Sequence, residues 1–113
     1  MPEQFITSFR CLMLHPSPLP KYRGGSPIQN QIINGEIESA VSIFLMDSGL
    51  DSGPIYCQES FSLEGELSEI FSRIVRIGIA LTERILSEDL QPLPQDHSLA
   101  TYFKRRKLSL IHI

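Results

Sequence analysis

Two residues in the first half of the chain are placed to carry chemistry together. His15 closes the apolar run CLML, and Asp51 follows the run AVSIFLMD inside the glycine-flanked loop SGLDSGP. A carboxylate beside an imidazole orients the ring and stabilises its protonated form. The imidazolium can then donate a hydrogen bond to a carbonyl oxygen as that oxygen becomes an oxyanion. The carboxylate, directly or through water, can take a proton from an attacking amine. The sequence offers no serine or cysteine at a nucleophile elbow and no metal-type cluster. Acyl transfer straight to an external nucleophile therefore fits better than covalent catalysis. The bland alternatives are a structural histidine and an ordinary turn around Asp51.

These two side chains need elements to deliver them. CLML, residues 11–14, reads as a buried strand of a parallel sheet that ends at His15. Ligands bind at the carboxyl ends of strands in open α/β sheets. AVSIFLMD, 40–47, reads as a second buried strand. If the two are parallel neighbours, His15 and Asp51 share one crevice. Gly49 and Gly53 permit tight backbone geometry, so a flat ligand could approach the main chain there.

Between the strands lies HPSPLPKYRGGSP, a stiff loop with four prolines. Ser26 before Pro27 predicts a helix start, with serine as N-cap and proline at the first helical position. In PIQNQIING, Ile28, Ile32 and Ile33 fall on one helical face, and Gly35 supplies the stop. IYCQESFSL, 55–63, alternates roughly at Ile55, Cys57, Glu59 and Phe61 and predicts a partly exposed strand. Residues 66–87 repeat apolar side chains at steps of three and four: Leu67, Ile70, Phe71, Ile74, Ile77, Leu81 and Ile85. That pattern predicts a long amphipathic helix. ATYFKRRK starts another strand or loop. The order of elements is α/β.

The chain has 113 residues, enough for one small domain, and a net charge of −3. That balance argues against a dedicated nucleic-acid-binding domain. No apolar run is long enough to span a bilayer, and MPEQFITSFR lacks the features of a signal peptide. Two cysteines, Cys11 and Cys57, are too few for a disulfide scaffold and point to a reducing cytoplasm.

The stretch from His15 to Tyr56 resembles the signature region of the folate-dependent formyltransferases, whose branches act on methionyl-tRNA, glycinamide ribonucleotide and sugar nucleotides. The shared pattern is His-Pro-Ser-x-Leu-Pro-x-x-Arg-Gly, then Pro-Ile, a Gly-Glu pair, a strand, and Asp-x-Gly. It covers residues 15–56 closely and 57–107 loosely. The Arg-Gly and Pro-Ile details lean toward the methionyl-tRNA and sugar-nucleotide branches. The resemblance implies a Rossmann-like α/β catalytic domain with a mixed sheet. It implies transfer of a formyl group from 10-formyltetrahydrofolate to a primary amine, on initiator methionyl-tRNA or an amino-sugar nucleotide. It implies no metal and no membrane partner.

By the same resemblance His15 is the catalytic histidine that polarises the formyl oxygen, and Asp51 the aspartate that supports it and the proton transfers. Asp47, Ser48, Gly49, Leu50 and Asp51 match the segment whose backbone contacts the folate. Ser17, Leu19, Pro20, Arg23 and Gly24 match a loop beside the active site. Arg23 either positions loop or substrate, or is a solvated or loop-bracing arginine.

The pattern is broken at one position. The family carries an asparagine two residues before the histidine, where it helps hold the formyl oxygen; this chain carries Met13. A thioether donates no hydrogen bond. Losing one oxyanion donor costs on the order of a hundredfold to a thousandfold in rate.

The ends differ from the family too. Only 14 residues precede His15, where the family has several strands, so residues 1–107 read as the C-terminal part of a catalytic domain. Residues 108–113, LSLIHI, read as a non-native tail translated from a sequencing adapter. Two other function classes stay open: an inactive fragment that at most binds ligand, and an RNA-binding module using Lys104, Arg105, Arg106 and Lys107. The acidic balance disfavours the second, and such a basic run is more often a solvated face.

Overall fold

A computed structural model describes residues 10–106. Residues 108–113, the expected non-native tail, lie outside the described residues. In chain order the elements are β1 (Leu12–His15), β2 (Arg23–Gly24), α1 (Pro27–Ile33), β3 (Glu38–Leu45), β4 (Ile55–Ser62), α2 (Leu67–Ser87), a 3-10 turn (His97–Leu99) and β5 (Tyr102–Phe103). Strands β1, β3 and β4 form one sheet in that order, and β2 pairs with β5 in a second.

The expectation of parallel neighbours for β1 and β3 is corrected. They are antiparallel, with Leu12 opposite Leu45 and His15 opposite Ser42. β3 and β4 are antiparallel as well, with an irregularity between Ile43 and Phe44. The parallel pair is the short one, β2 with β5. An apolar run records burial on both faces of a strand, not its direction. β3 is buried on both faces: Val41 and Ile43 join the core, while the Ser42 hydroxyl donates to the Ser17 carbonyl at 2.7 Å. Among the described residues β1 stands at the edge of this sheet, and Met13 and Leu14 are exposed rather than buried.

The core lies between the sheet and α2. Val41, Ile43, Phe61, Leu63, Ile70, Ile74 and Leu81 form it, joined by Ile28 from α1. Each such side chain contributes about 1.5–3 kcal/mol on full burial. In α2 the buried positions are Ile70, Ile74, Gly78 and Leu81, at the expected helical spacing. Leu67 and Phe71, at the edge of the expected stripe, are exposed. Arg73 anchors the start of the helix by donating to the carbonyls of Ser62 and Glu64. Arg84 in the last turn complements the negative end of the helix and pairs with Glu88 at 3.1 Å. On β4 the buried side chains are Tyr56 and Phe61, whereas Ile55 and Cys57 are half-buried.

Helix α1 departs most from its sequence pattern. It starts at Pro27 and ends at Ile33, and Gly35 just beyond it takes a φ of 81° and donates to the Ile32 carbonyl. Ile28 is buried, but Ile32 and Ile33 are exposed, and the buried face is completed by Asn30 and Gln31. Those amides have backbone partners that periodicity cannot reveal: Asn30 donates to the Gly25 carbonyl, and Gln31 to the carbonyls of Pro16 and Pro27. Ser26 does not cap with its side chain. It is left-handed, with φ 49°, and its hydroxyl accepts the Arg106 N–H instead.

Candidate active site

Period two along β1 places Met13 and His15 on one face of the sheet, with Leu12 and Leu14 on the other. The proline loop then folds over His15. Short turns close it: Ser17 N–H donates to the His15 carbonyl, Leu19 N–H to Ser17, and Lys21 N–H to Pro18. Leu19–Pro20 is a cis peptide and Tyr22 has φ 61°. The turn aims the Tyr22 carbonyl at His15 Nε2, 2.8 Å away. A carbonyl only accepts, so Nε2 carries a proton in this contact.

The other ring nitrogen, Nδ1, faces Asp51 Oδ2 at 3.6 Å. That separation is an ion-pair distance, beyond hydrogen-bond length. Asp51 reaches it because the loop 46–54 runs back along β1. Asp47 builds this loop by accepting from Gly49 N–H and the Ser52 hydroxyl, each at 2.9 Å. Gly53 lies so close to β3 that a Cβ there would sit 1.7 Å from the Leu45 carbonyl oxygen. Asp51 itself is left-handed, with φ 50°. Its Oδ2 accepts the Gly24 N–H at 2.9 Å.

Two further supports hold the loop. The Gln95 amide donates to the carbonyls of Asp51 and Gly53 at 2.9 and 2.7 Å. The same amide accepts from Arg23, whose guanidinium is 1% exposed. Arg23 also donates to the Tyr102 hydroxyl at 2.6 Å and to His97 Nδ1 at 2.8 Å. Asp96 caps the 3-10 turn through Ser98, whose hydroxyl and N–H hold its carboxyl below the ordinary 3.8.

His15 and Asp51 open on a cleft of about 740 Å³ whose walls include Met13, Gly24, Leu50, Phe103, Lys104 and Arg105. That volume lies in the range of about 300–1,000 Å³ typical of small-molecule sites. The walls are mainly apolar, with few convergent polar groups. Gly24 and Gly25 let the chain at the end of β2 lie close on the backbone of Phe103 and Arg105, where a Cβ would sit 2.3 Å from the Phe103 carbonyl oxygen and 2.4 Å from the Arg105 Cα.

The sequence model of the formyl transferase family matches residues 1–70. This chain belongs to that family. Methionyl-tRNA formyltransferase of Gluconobacter oxydans is 41% identical over 97 residues, covering 84% of this chain and 32% of that protein. The chain thus spans about a third of the length of the curated relatives it matches. The methionyl-tRNA formyltransferase of Clostridium thermocellum superposes with a TM-score of 0.90 at 34% identity, over 96% of this chain and 48% of that one. An N-formyltransferase from Helicobacter canadensis, solved with folinic acid and dTDP-3-aminofucose, gives 0.73 at 28% identity, over 83% and 37%. The fold is the α/β fold of the formyltransferase domain.

Within this formyltransferase fold the structure brings together His15, Asp51 and Gly24. Leu50 joins them on the cleft wall. Asp47 and Gly49 shape the loop behind, and Ser48 is exposed. Of the expected loop residues, Ser17, Leu19, Pro20 and Arg23 do not line the cleft, whereas their neighbours Pro16, Gly25 and Pro27 do. Ser17 and Leu19 are buried beneath the loop, and Pro20 accepts the Thr101 N–H with its carbonyl. Arg23 is a loop-bracing residue, neither solvated nor on the cleft wall. Sequence reasoning missed Gln95, Phe103 and the Tyr22 carbonyl, which no motif announces. Lys104 and Arg105 belonged to a basic run read as a solvated face; they are exposed, but they also line the cleft.

Among the described residues, no helix is long and apolar enough to cross a membrane. No group of three or more Cys, His, Asp or Glu among them could hold a metal ion.

Proposed function

We propose that this chain carries the catalytic centre of a cytoplasmic enzyme that moves a formyl group from 10-formyltetrahydrofolate to the amine of methionyl-tRNA. In this reading residues 1–107 are part of the catalytic domain. The observation that carries it is the His15–Asp51 pair, 3.6 Å apart at the mouth of a cleft of fitting size. The methionyl-tRNA acceptor rests on the similarity to methionyl-tRNA formyltransferases.

The residues lining the cleft suit the folate: Leu50 and Phe103 offer apolar walls beside the His15–Asp51 pair. When bound, the folate supplies an activated formyl group. His15 keeps one N–H on the Tyr22 carbonyl and turns Nδ1 toward the cleft and Asp51. A proton on Nδ1 can stabilise negative charge that develops on a carbonyl oxygen there. Asp51, fixed by Gly24 N–H, balances the imidazolium and accepts the proton of the attacking amine. Lys104 and Arg105 place positive charge at the cleft, where a phosphorylated acceptor would approach.

Met13 favours a second reading, a catalytically inactive chain that binds folate. It lies on the same face as His15 and lines the cleft, where it brings no donor. The test is formyl transfer by the 113-residue chain, with methionyl-tRNA and an amino-sugar nucleotide offered separately. Transfer to methionyl-tRNA that is abolished in His15→Ala and Asp51→Ala is the expected result. Transfer only to the sugar would reassign the acceptor. Calorimetric binding of folate without any transfer would establish the second reading.

A further inference from the structure

We propose that Gln95 is a positioning residue for Asp51, and that Arg23 acts on the site only through it. The inference rests on the role assigned to Asp51 above. Asp51 occupies a left-handed backbone conformation, which non-glycine residues seldom adopt and aspartate tolerates better than most. Its side chain is held by one bond, from Gly24 N–H. Its peptide is held from the other side by Gln95, which also ties down Gly53 two residues on.

The chemistry of this tie requires an amide. Gln95 is 6% exposed, and both ends of its side chain are occupied. Nε2 spends its two N–H groups on the Asp51 and Gly53 carbonyls, and Oε1 accepts two N–H groups of Arg23, from Nε at 3.3 Å and Nη2 at 2.8 Å. Among side chains of this length, an amide alone donates and accepts at once. A buried guanidinium on the oxygen polarises the amide and strengthens its N–H donors. Arg23 is further fixed because Tyr102 and His97 hold two of its three other N–H groups. Gln95 is in turn placed by the backbone pairing of Leu93 with Ile55 at the start of β4. A frame from β4, β5 and the 3-10 turn thus ends on the peptide of Asp51.

Gln95→Glu separates positioning from stability. It keeps, as a carboxylate, the acceptor that Arg23 needs, and it replaces both donors with an oxygen facing two carbonyls. Two readouts on the full chain decide the matter. The first is hydrogen exchange at the Gly24 amide, which donates to Asp51 Oδ2 and needs no turnover. Gln95→Glu and Gln95→Ala should each raise that exchange about tenfold or more while Val41 and Ile43 in the core keep their protection. The second is formyl-transfer kinetics, in which kcat falls about tenfold to a hundredfold with KM nearly unchanged. If the unsubstituted chain shows no transfer, the proposed reaction fails, and exchange at Gly24 still decides where Asp51 is held. Unchanged Gly24 exchange in Gln95→Glu would overturn the inference. So would uniform loosening of all amides, because Gln95 would then serve stability alone.

Discussion

Between α2 and the sheet, buried contacts are made by Val41, Ile43, Phe61, Ile70, Ile74 and Leu81, all apolar. Around β2 and β5 the buried residues include the polar His15, Ser17, Arg23 and Gln95, beside Leu19 and a Tyr22 ring that stacks on Phe103. The first region is held by area removed from water, which tolerates small shifts of one side chain against another. The second is held by directed hydrogen bonds, in which a lost partner leaves a desolvated polar group. The proposed catalytic pair, His15 and Asp51, sits in the second region, where angle and distance are set bond by bond.

Substitutions at the two ends of this contrast should separate function from stability. Asp51→Asn removes a carboxylate charge that the core does not use and keeps a side chain that tolerates the left-handed backbone at φ 50°. Formyl transfer should fall about a hundredfold to ten-thousandfold, as loss of general acid–base help does, with little change in the urea midpoint. Equal losses of stability and rate would erase the distinction. Met13→Asn tests the same region by gain: an amide donor at the cleft wall should raise transfer about a hundredfold to a thousandfold. No gain would mean that the position of Met13 does not limit the reaction.

Leu81→Ala probes the other region. Leu81 is 1% exposed, and its truncation should cost about 2–5 kcal/mol in urea unfolding while the folate affinity of the folded fraction is kept. The smallest effect lies on the rim of the core, at Cys57. Burial pushes its thiol above the ordinary 9.0, and Glu59 and Glu88 push the same way against Arg84. At pH 8 its alkylation, read by peptide mass spectrometry, should be slower than that of a free thiol and should speed up in urea. The folded state holds this proton more tightly, so its contribution to stability is full below pH 9.0 and declines as the pH rises past that value.

The two regions were unequally legible. In α2 the spacing of Ile70, Ile74 and Leu81 points to the buried face, because neighbours one turn apart share a surface. The same rule fails in α1, where Gln31 is buried and Ile33 is exposed. There the deciding contacts are hydrogen bonds to Pro16 and Gly25, and no local period encodes them. At the site, His15 and Asp51 were legible from their motif, while Gln95, an unremarkable residue in a proline-rich loop, was not.

The sequence by itself determined the candidate pair His15 and Asp51, where the long helix turns its apolar face, and that glycines flank Asp51. It did so because those properties depend on residue type and on neighbours a few positions away. Only the tertiary structure decided that β1 and β3 run antiparallel and that the loop 46–54 doubles back to bring Asp51 to His15. It also decided that Gln95 links a buried arginine to that loop by hydrogen bonds. Those facts depend on hydrogen bonds between segments far apart in the chain, and the partners meet only once the chain has folded.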